Sequence, residues 1–269
     1  MIRFLSIFTG LLCFAMSFAQ TQEIDSLDYR DLSLARSTWK PIDTSPQVQL
    51  TSQNTNGRRG LVFPCPMSSI ESRVYWDRKV SLNLVKADRI AFWVYVPEKP
   101  VVALNCTLYF QSGEGWYGAF FSAERGWNRI VLGKAGFKPE GNPSGWDKVE
   151  TIRFAVWKST NMDTRLQLSE LVALESKIAI MIPNADQLDP HDETSLNQAK
   201  YTEKIINDIG GNVGQLSDAD VAQGVLANRK IVILPYNPSI TPEALNQLES
   251  FVARGGQVIA FFSVPPRLL

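Results

Sequence analysis

Aromatic and polar side chains alternate with aliphatic ones along several short segments of this sequence. In RIAFWVYV (residues 89–96), Trp93 and Tyr95 fall opposite the aliphatic positions if the segment is a strand. Four such segments together place seven residues opposite the aliphatic rows: Trp93, Tyr95, Tyr109, Arg153, Trp157, Arg165 and Gln167. Indole and phenol rings stack on the apolar face of a pyranose, while Arg and Gln offer planar hydrogen-bonding groups for its hydroxyls. These seven residues are therefore predicted to bind carbohydrate.

A different interpretation of the same rows stays open. The N-terminal segment or a second domain covers this face in that case, and the aromatic side chains form a second core. Sandwiches commonly bury part of both sides, which supports the covered interpretation, whereas exposed apolar patches tend to be functional, which supports binding. Trp116, Tyr117 and Trp146 lie at predicted loop edges, where sugar sites also occur.

Residues for catalysis are scarce. His191 is the single histidine, and the three cysteines form no CxxC motif, so a zinc site or a histidine-based triad is hard to assemble. Two carboxylates in a persuasive glycosidase context are not found either. The acidic segment DQLDPHDE is predicted to be a solvated loop before a helix. We predict no catalytic residue, no bound metal and no cofactor from these patterns.

The N-terminus has the features of a secretory signal. Arg3 precedes an apolar stretch that ends in the small-x-small sequence Ser17-Phe18-Ala19, which predicts cleavage after residue 19 and a secreted or periplasmic protein. An uncleaved anchor is the alternative. The mature chain keeps Cys65 and Cys106, either as a disulfide or as small core residues. The balance of 27 basic and 27 acidic residues gives no indication of a nucleic-acid or anionic-membrane partner.

Between residues 37 and 175 the hydrophobic period is two. Eight short segments rich in β-branched and aromatic residues are separated by Gly, Pro and Asn turns, and no helical stretch of useful length interrupts them. This pattern predicts an antiparallel β-sandwich over 37–175. The polar residues 20–36 are predicted to be a flexible lead-in.

After Glu175 the pattern changes to strands that alternate with helices. Three apolar strands are predicted in KIAIMIP, KIVILP and QVIAFF. A long amphipathic helix, a weaker one from residue 218, and a helix with Thr241 as N-cap lie between them. Residues 176–269 are thus predicted to form a partial doubly wound parallel-sheet α/β domain.

The segments GWNRIVLGKAGFKP (126–139) and GWDKVETIRFAVWKSTNMDTRLQLSELVALE (145–175) resemble the C-terminal half of carbohydrate-binding modules with the galactose-binding-like jelly-roll fold. The resemblance implies a module that binds polysaccharide without cleaving it. Such modules often hold a structural calcium ion, for which Asp163 and Glu170 are the candidate ligands here.

The second half resembles a degenerate class I glutamine amidotransferase-like domain of the β-galactosidase trimerisation type, on KIAIMIP and KIVILPYNPSITPEALNQLESFVARGGQVIAFF. Active members carry a cysteine nucleophile on a sharp turn after the last of these strands. This chain has Phe262-Ser263-Val264-Pro265-Pro266 there, which argues against Ser263 as a nucleophile. Three strands make an incomplete sheet, so we expect a truncated gene product or a fragment.

These observations together predict a secreted, non-catalytic, carbohydrate-binding part of a glycoside-hydrolase-like protein, with polysaccharide as its partner. Two alternatives stay open. The chain is the structural or oligomerisation region of a full-length glycoside hydrolase, or it is an envelope protein without a ligand. No stable membrane span is expected after signal cleavage, and both a monomer and a homo-oligomer are compatible with the sequence.

Overall fold

The computed structural model describes residues 20–51, 57–97, 103–183, 190–208 and 213–262. The predicted signal segment 1–19, the loop residues 184–189 and Ser263 lie outside the described residues. The chain divides into two compact units, one of Thr21–Leu174 and one that begins at Glu175. No helix in the described ranges is both long and apolar enough to cross a bilayer.

The first unit is an antiparallel β-sandwich, as predicted. The strands are β1 (Gln20–Asp25), β2 (Trp39–Ile42), β3 (Gln49–Leu50), β4 (Leu61–Cys65), β5 (Arg73–Leu82), β6 (Arg89–Val96), β7 (Ala103–Ser112), β8 (Gly115–Glu124), β9 (Gly126–Gly133), β10 (Lys138–Glu140), β11 (Val149–Trp157) and β12 (Thr164–Glu175). Sheet A has the order β3-β4-β12-β6-β9 with β1 against β12, and sheet B has the order β10-β8-β7-β11-β5-β2.

The inner faces of the two sheets share one hydrophobic core. On β6, Phe92 and Val94 are buried in this core while Trp93 is only half-buried on the other side, which is the alternation that the sequence predicts. Phe63 of sheet A packs against the rings of Trp76 and Phe154 of sheet B, at centroid distances of 5.0 and 5.5 Å. Such tilted aromatic contacts join the two sheets at the centre of the sandwich.

The residues predicted to be a flexible lead-in are ordered, which corrects that prediction. They form β1 and helix α1 (Leu32–Thr38), whose N-cap Asp31 accepts hydrogen bonds from two backbone N–H groups of the first turn. Ile24, Leu27 and Ala35 are part of the core. The segment is polar overall, and these three side chains attach it to the core, while Leu32 and Leu34 of the same segment are exposed.

The two cysteines of the first unit are core residues. Cys65 lies on β4 and Cys106 on β7, and both are fully buried free thiols. Of the two roles that the sequence left open, the structure has the small core residue rather than the disulfide.

The second unit is a four-stranded parallel sheet with helices. Its strands β13 (Ile178–Ile182), β14 (Val213–Ser217), β15 (Ile231–Leu234) and β16 (Gln257–Ala260) have the order β14-β13-β15-β16. The helices are α2 (Pro190–Asp208), α3 (Asp218–Ala222) and α4 (Pro242–Ala253). Thr241 caps α4 as predicted, because its Oγ1 accepts the Ala244 N–H at 3.3 Å.

Two sequence predictions in this unit need correction. Strand β14 was missed, so the sheet has four strands in the described residues instead of three; its segment VGQLS has only two large apolar residues and follows two glycines. The predicted weaker helix ends at Ala222 and continues as turns. The doubly wound topology and the resemblance to an amidotransferase-like domain stay predictions.

Candidate functional site

The seven predicted carbohydrate-binding residues lie on two sheets, so they do not form one surface. Tyr109, Arg153 and Trp157 are on the outer face of sheet B. The other four are on the outer face of sheet A: Trp93, Tyr95, Arg165 and Gln167. The core separates the two outer faces, and each is therefore described as its own candidate surface.

Strand register brings the sheet B residues into rows across four strands. Arg153 pairs with Tyr109 on one side and with Asp77 on the other. Trp157 lies in the next row but one, between Asn105 and Arg73. We call the following set the sheet B face: Arg73, Tyr75, Asp77, Asn105, Tyr109, Gln111, Trp116, Arg153 and Trp157. Their alternation with core residues is what directs these side chains outward.

Arg153 is held at the centre of the sheet B face. Its Nε and Nη2 donate to the two carboxylate oxygens of Asp77 at 2.7 and 2.8 Å. Its guanidinium carbon also lies 4.4 Å from the Trp116 ring centroid and 4.9 Å from that of Tyr75. The hydrogen bond to Asp77 raises the pKa of Arg153 above its ordinary value. The guanidinium is thus a fixed, charged plane between two aromatic rings.

Trp157 is oriented by its polar edge. Its indole Nε1–H donates to Thr107 Oγ1 at 2.8 Å, so the ring does not turn freely. The guanidinium carbon of Arg73 lies 4.9 Å from this ring and 4.8 Å from the ring of Tyr75. Arg73 therefore contacts the rings of both Trp157 and Tyr75. Because the half-buried indole is already oriented, a sugar ring could stack on it without a further loss of side-chain entropy.

Hydrogen bonds within the sheet hold two amide side chains of the sheet B face. Lys79 Nζ donates to Thr151 Oγ1 at 2.9 Å, and that hydroxyl donates to Gln111 Oε1 at 2.7 Å. On the neighbouring strands, Ser122 Oγ donates to Asn105 Oδ1 at 2.9 Å. These bonds fix the amides of Gln111 and Asn105, whose remaining N–H groups are of the type that sugar hydroxyls accept.

Tyr109 supports the surface but offers little of its own ring. Only 7% of Tyr109 is exposed, and it meets the Trp116 ring edge-to-face at a centroid distance of 6.2 Å. Gly118 leaves room for the Tyr109 ring, because a Cβ at residue 118 would lie only 2.7 Å from Tyr109 Cε1. Tyr109, which was predicted to stack on the sugar, therefore supports the ring of Trp116 instead. Trp116 was predicted to lie at a loop edge and is a residue of β8.

Tyr75, Asp77 and Arg73 were missed in the sequence analysis. They alternate with Val74 and Trp76 in SRVYWD, and both of the latter are buried. The alternation would have placed all three on the face opposite the core.

The outer face of sheet A carries a second aromatic cluster. We call the following set the sheet A face: Arg58, Trp93, Tyr95, Trp127, Arg129, Arg165 and Gln167. The register aligns Gln167 with Tyr95, and Tyr95 with Trp127, whose ring lies 5.3 Å from the Tyr95 ring. Two arginines contact Trp93: the guanidinium carbons of Arg58 and Arg129 lie 4.2 and 5.3 Å from the centroid of its ring. Arg165 is exposed on the same face.

The two candidate calcium ligands each have a protein partner. Asp163 Oδ1 accepts the Ser68 N–H at 2.8 Å, and the hydrogen bonds from Ser68 lower the Asp163 pKa. Glu170 forms an ion pair with Arg58. Within the described ranges no group of three or more His, Cys, Asp or Glu residues is arranged to hold a metal ion. A calcium site on these two carboxylates therefore has no support from the geometry.

We compared the chain with protein-family models, curated proteins and solved structures. No family model matches it, and no curated protein matches it. It is similar to a family 11 carbohydrate-binding module from Clostridium thermocellum in complex with a β-1,3-1,4-mixed-linked tetrasaccharide (12% identity, 59% of this chain, 97% of that one, TM-score 0.42). It is also similar to a carbohydrate-binding module specific for non-crystalline cellulose, with 14% identity over 57% of this chain and 94% of that one, and a TM-score of 0.43. An exo-β-agarase is similar over 69% of this chain and 31% of its own, with 6% identity and a TM-score of 0.43.

Proposed function

We propose that the sheet B face binds a polysaccharide by stacking and hydrogen bonding, without chemical conversion of the sugar. The observation that carries this proposal is the Arg153 guanidinium, held in plane by Asp77 and flanked by Trp116 and Tyr75. A pyranose needs an aromatic plane for its C–H face and oriented polar groups for its equatorial hydroxyls. Both lie within one surface here, already ordered by contacts within the protein.

The charges of the sheet B face favour a neutral polysaccharide. Arg153 is neutralised by Asp77, and the phenol of Tyr75 donates to Asp43. Since cations and carboxylates both occur on the surface, neither an acidic nor a basic chain gains a large electrostatic advantage. Arg73 is used as a stacking partner of Trp157 and Tyr75, a role that suits a guanidinium.

We infer further that this binding takes place outside the cytoplasm. The support is the N-terminal sequence, with Arg3, an apolar stretch and the small-x-small site before Gln20. The α/β unit has no assigned chemistry in this proposal and serves as a structural region of the protein. Detection of the mature N-terminus at Gln20 in secreted or periplasmic material would support this location. Recovery of the chain in the cytoplasmic fraction would contradict it, and an intact residue 1 in the membrane fraction would indicate the uncleaved anchor.

Affinity electrophoresis of the full chain through gels with dissolved neutral polysaccharides tests the proposal. A panel of β-glucan, mannan and agarose covers the common linkages. We expect Trp157→Ala and Trp116→Ala to weaken retention about tenfold, because each removes a stacking ring worth about 1 to 2 kcal/mol. Arg153→Lys should weaken it similarly, since Lys lacks the planar fork.

Two comparison variants sharpen this experiment. Tyr201→Ala removes an exposed ring from α2 in the second unit and should leave retention within about twofold of the original, as surface changes usually do. Trp93→Ala tests the sheet A face instead. Loss of retention in Trp93→Ala, with none in Trp157→Ala, would move the neutral-sugar site to sheet A. No retention by any polysaccharide would favour the ligand-free structural alternative.

A further inference from the structure

The sheet A face concentrates positive charge on one aromatic ring. Arg58 and Arg129 both contact Trp93, and the Arg58 guanidinium carbon also lies 5.8 Å from the centroid of Trp127. Arg129 is the cross-strand partner of Trp93, so the β6–β9 register holds this pair together. Guanidinium groups stacked on a ring keep their plane fixed and leave their N–H edges available for planar acceptors.

A single carboxylate is associated with these two cations. Glu170 pairs with Arg58 at 2.5 Å and is itself 53% exposed in its side chain. Burial lowers the pKa of Arg129, the charge of Glu170 opposes this, and the nearby Arg58 lowers the pKa further. No other carboxylate in the described part of the chain forms an ion pair with Arg58 or Arg129. The cluster therefore has an excess positive charge that an anion would offset.

Gln167 is an incompletely satisfied polar group beside this cluster. It is 5% exposed, and its Oε1 has no hydrogen-bond partner among the described residues. The strand register places it in the row of Tyr95 and Trp127. A buried polar atom without a partner costs free energy, so a ligand hydroxyl that reached it would be favoured. Gln167 Oε1 is an acceptor and requires a hydrogen-bond donor, which a sugar hydroxyl has and a simple inorganic anion lacks.

We propose that the sheet A face is a second binding site, which takes the carboxylate or sulfate group of an acidic polysaccharide. Arg58 and Arg129 would bind the oxyanion through paired N–H groups, the geometry in which Arg binds planar or tetrahedral oxyanions best. Trp127 and Tyr95 would contact the sugar ring, and Trp93 serves as the platform for the two cations. The proposal does not depend on the sheet B face.

Matched polymers test the nature of the ligand. Polygalacturonate is compared with its methyl ester, which has the same sugar ring without the charge, and dextran sulfate is compared with dextran. We expect the full chain to bind at least one anionic polymer about tenfold more tightly than its neutral counterpart at low salt. Binding should weaken on going from about 20 to about 200 mM NaCl, because exposed charges are screened.

Variants locate the site. Arg129→Gln and Arg58→Gln should each weaken binding of the anionic polymer about fivefold to tenfold, while Glu170→Gln should strengthen it by releasing Arg58. Lys148→Gln removes the same charge at an exposed position outside the cluster and should change binding less than twofold. Thermal unfolding of each variant separates loss of binding from loss of fold.

Three results would overturn the proposal. The first is equal binding of each anionic polymer and its neutral counterpart. The second is an equal loss in Arg129→Gln and Lys148→Gln, which would indicate attraction by overall charge. The third is tighter binding of single-stranded DNA than of either anionic polysaccharide, which would assign the cluster to nucleic-acid phosphates. If the sheet B variants leave the binding of neutral polysaccharides unchanged, the proposed function fails, but the three tests of the anionic site on sheet A are unaffected.

Discussion

At the scale of single residues, burial decides what the two thiols do. Cys65 and Cys106 are both fully buried, and burial raises the pKa of each above its ordinary value; the neighbouring Cys65 raises that of Cys106 further. A thiolate is the reactive form of cysteine, so the native protein keeps both side chains inert. Their contribution is to packing, in the same core as Phe63 and Phe154.

This burial predicts a loss of stability at alkaline pH. The unfolded chain releases the thiol protons from about pH 8.5, whereas the folded chain retains them, so stability is complete below that value and falls as the pH rises. Each thiol contributes a slope of at most about 1.4 kcal/mol per pH unit. Urea unfolding between about pH 7 and pH 9.5, with reductant present and tryptophan fluorescence as the signal, measures it.

The matched control removes both thiols. The double variant Cys65→Ala, Cys106→Ala should be less stable throughout, since each change removes a buried sulfur, but its stability should vary less with pH over the same range. A pH slope equal to that of the original protein would show that the buried thiols are not its source. Native thiols should also resist a soluble disulfide reagent until urea unfolds the chain.

At the scale of elements, Asp25 secures the N-terminal segment to the sandwich. Its carboxylate accepts hydrogen bonds from the Tyr29 hydroxyl at 2.7 Å and from Trp39 Nε1 at 2.9 Å, and it pairs with Arg78 of β5 at 3.2 Å. The Leu27 N–H also donates to it at 2.8 Å. The residue therefore connects β1 of sheet A with strands β2 and β5 of sheet B.

Asp25→Ala should destabilise the first unit by about 3 kcal/mol. The change leaves the Arg78 guanidinium and the three other donors without their shared acceptor, which is among the costly defects in a protein interior. Urea unfolding followed by tryptophan fluorescence measures the effect. Asp28→Ala is the matched control, because Asp28 is exposed in the same segment and its loss should cost less than about 0.5 kcal/mol. Equal stabilities of the two variants would refute the anchoring role.

At the scale of the whole molecule, the first unit has the features of an independent domain. All residues of the sandwich core lie between Ile24 and Ala173. The seven tryptophans also lie within this unit, so tryptophan fluorescence reports on it alone. A core contained within one continuous segment is the physical condition for folding without the remainder of the chain.

We therefore expect a fragment of residues 20–174 to fold with the tryptophan emission of the full chain. A second fragment that starts at residue 39 lacks β1, α1 and Asp25, and should be clearly less stable because core residues Ile24, Leu27 and Ala35 are missing. Near-ultraviolet circular dichroism and urea unfolding compare the two. Unfolded behaviour of the longer fragment would show that the sandwich needs the α/β unit.

Much of the fold was predictable because local patterns agree with it. The period of two in RIAFWVYV corresponds residue for residue to β6, and Thr241 followed by Pro242 marks the start of α4. The N-terminal segment was mispredicted for the opposite reason: Ile24, Leu27 and Ala35 are too few and too widely spaced to reveal a buried strand and helix. Strand β14 likewise depends on its parallel neighbour β13 more than on its own composition.

The candidate sites were predictable as residue types but not as surfaces. From alternation alone, the sequence determined that Trp93, Arg153, Trp157 and their companions lie opposite the aliphatic rows. Only the tertiary structure decided which sheet each row belongs to, because strand order arises from long-range pairing that alternation within one strand does not encode. That pairing placed Arg153 against Asp77 on one face, and Trp93 against Arg129 on the other.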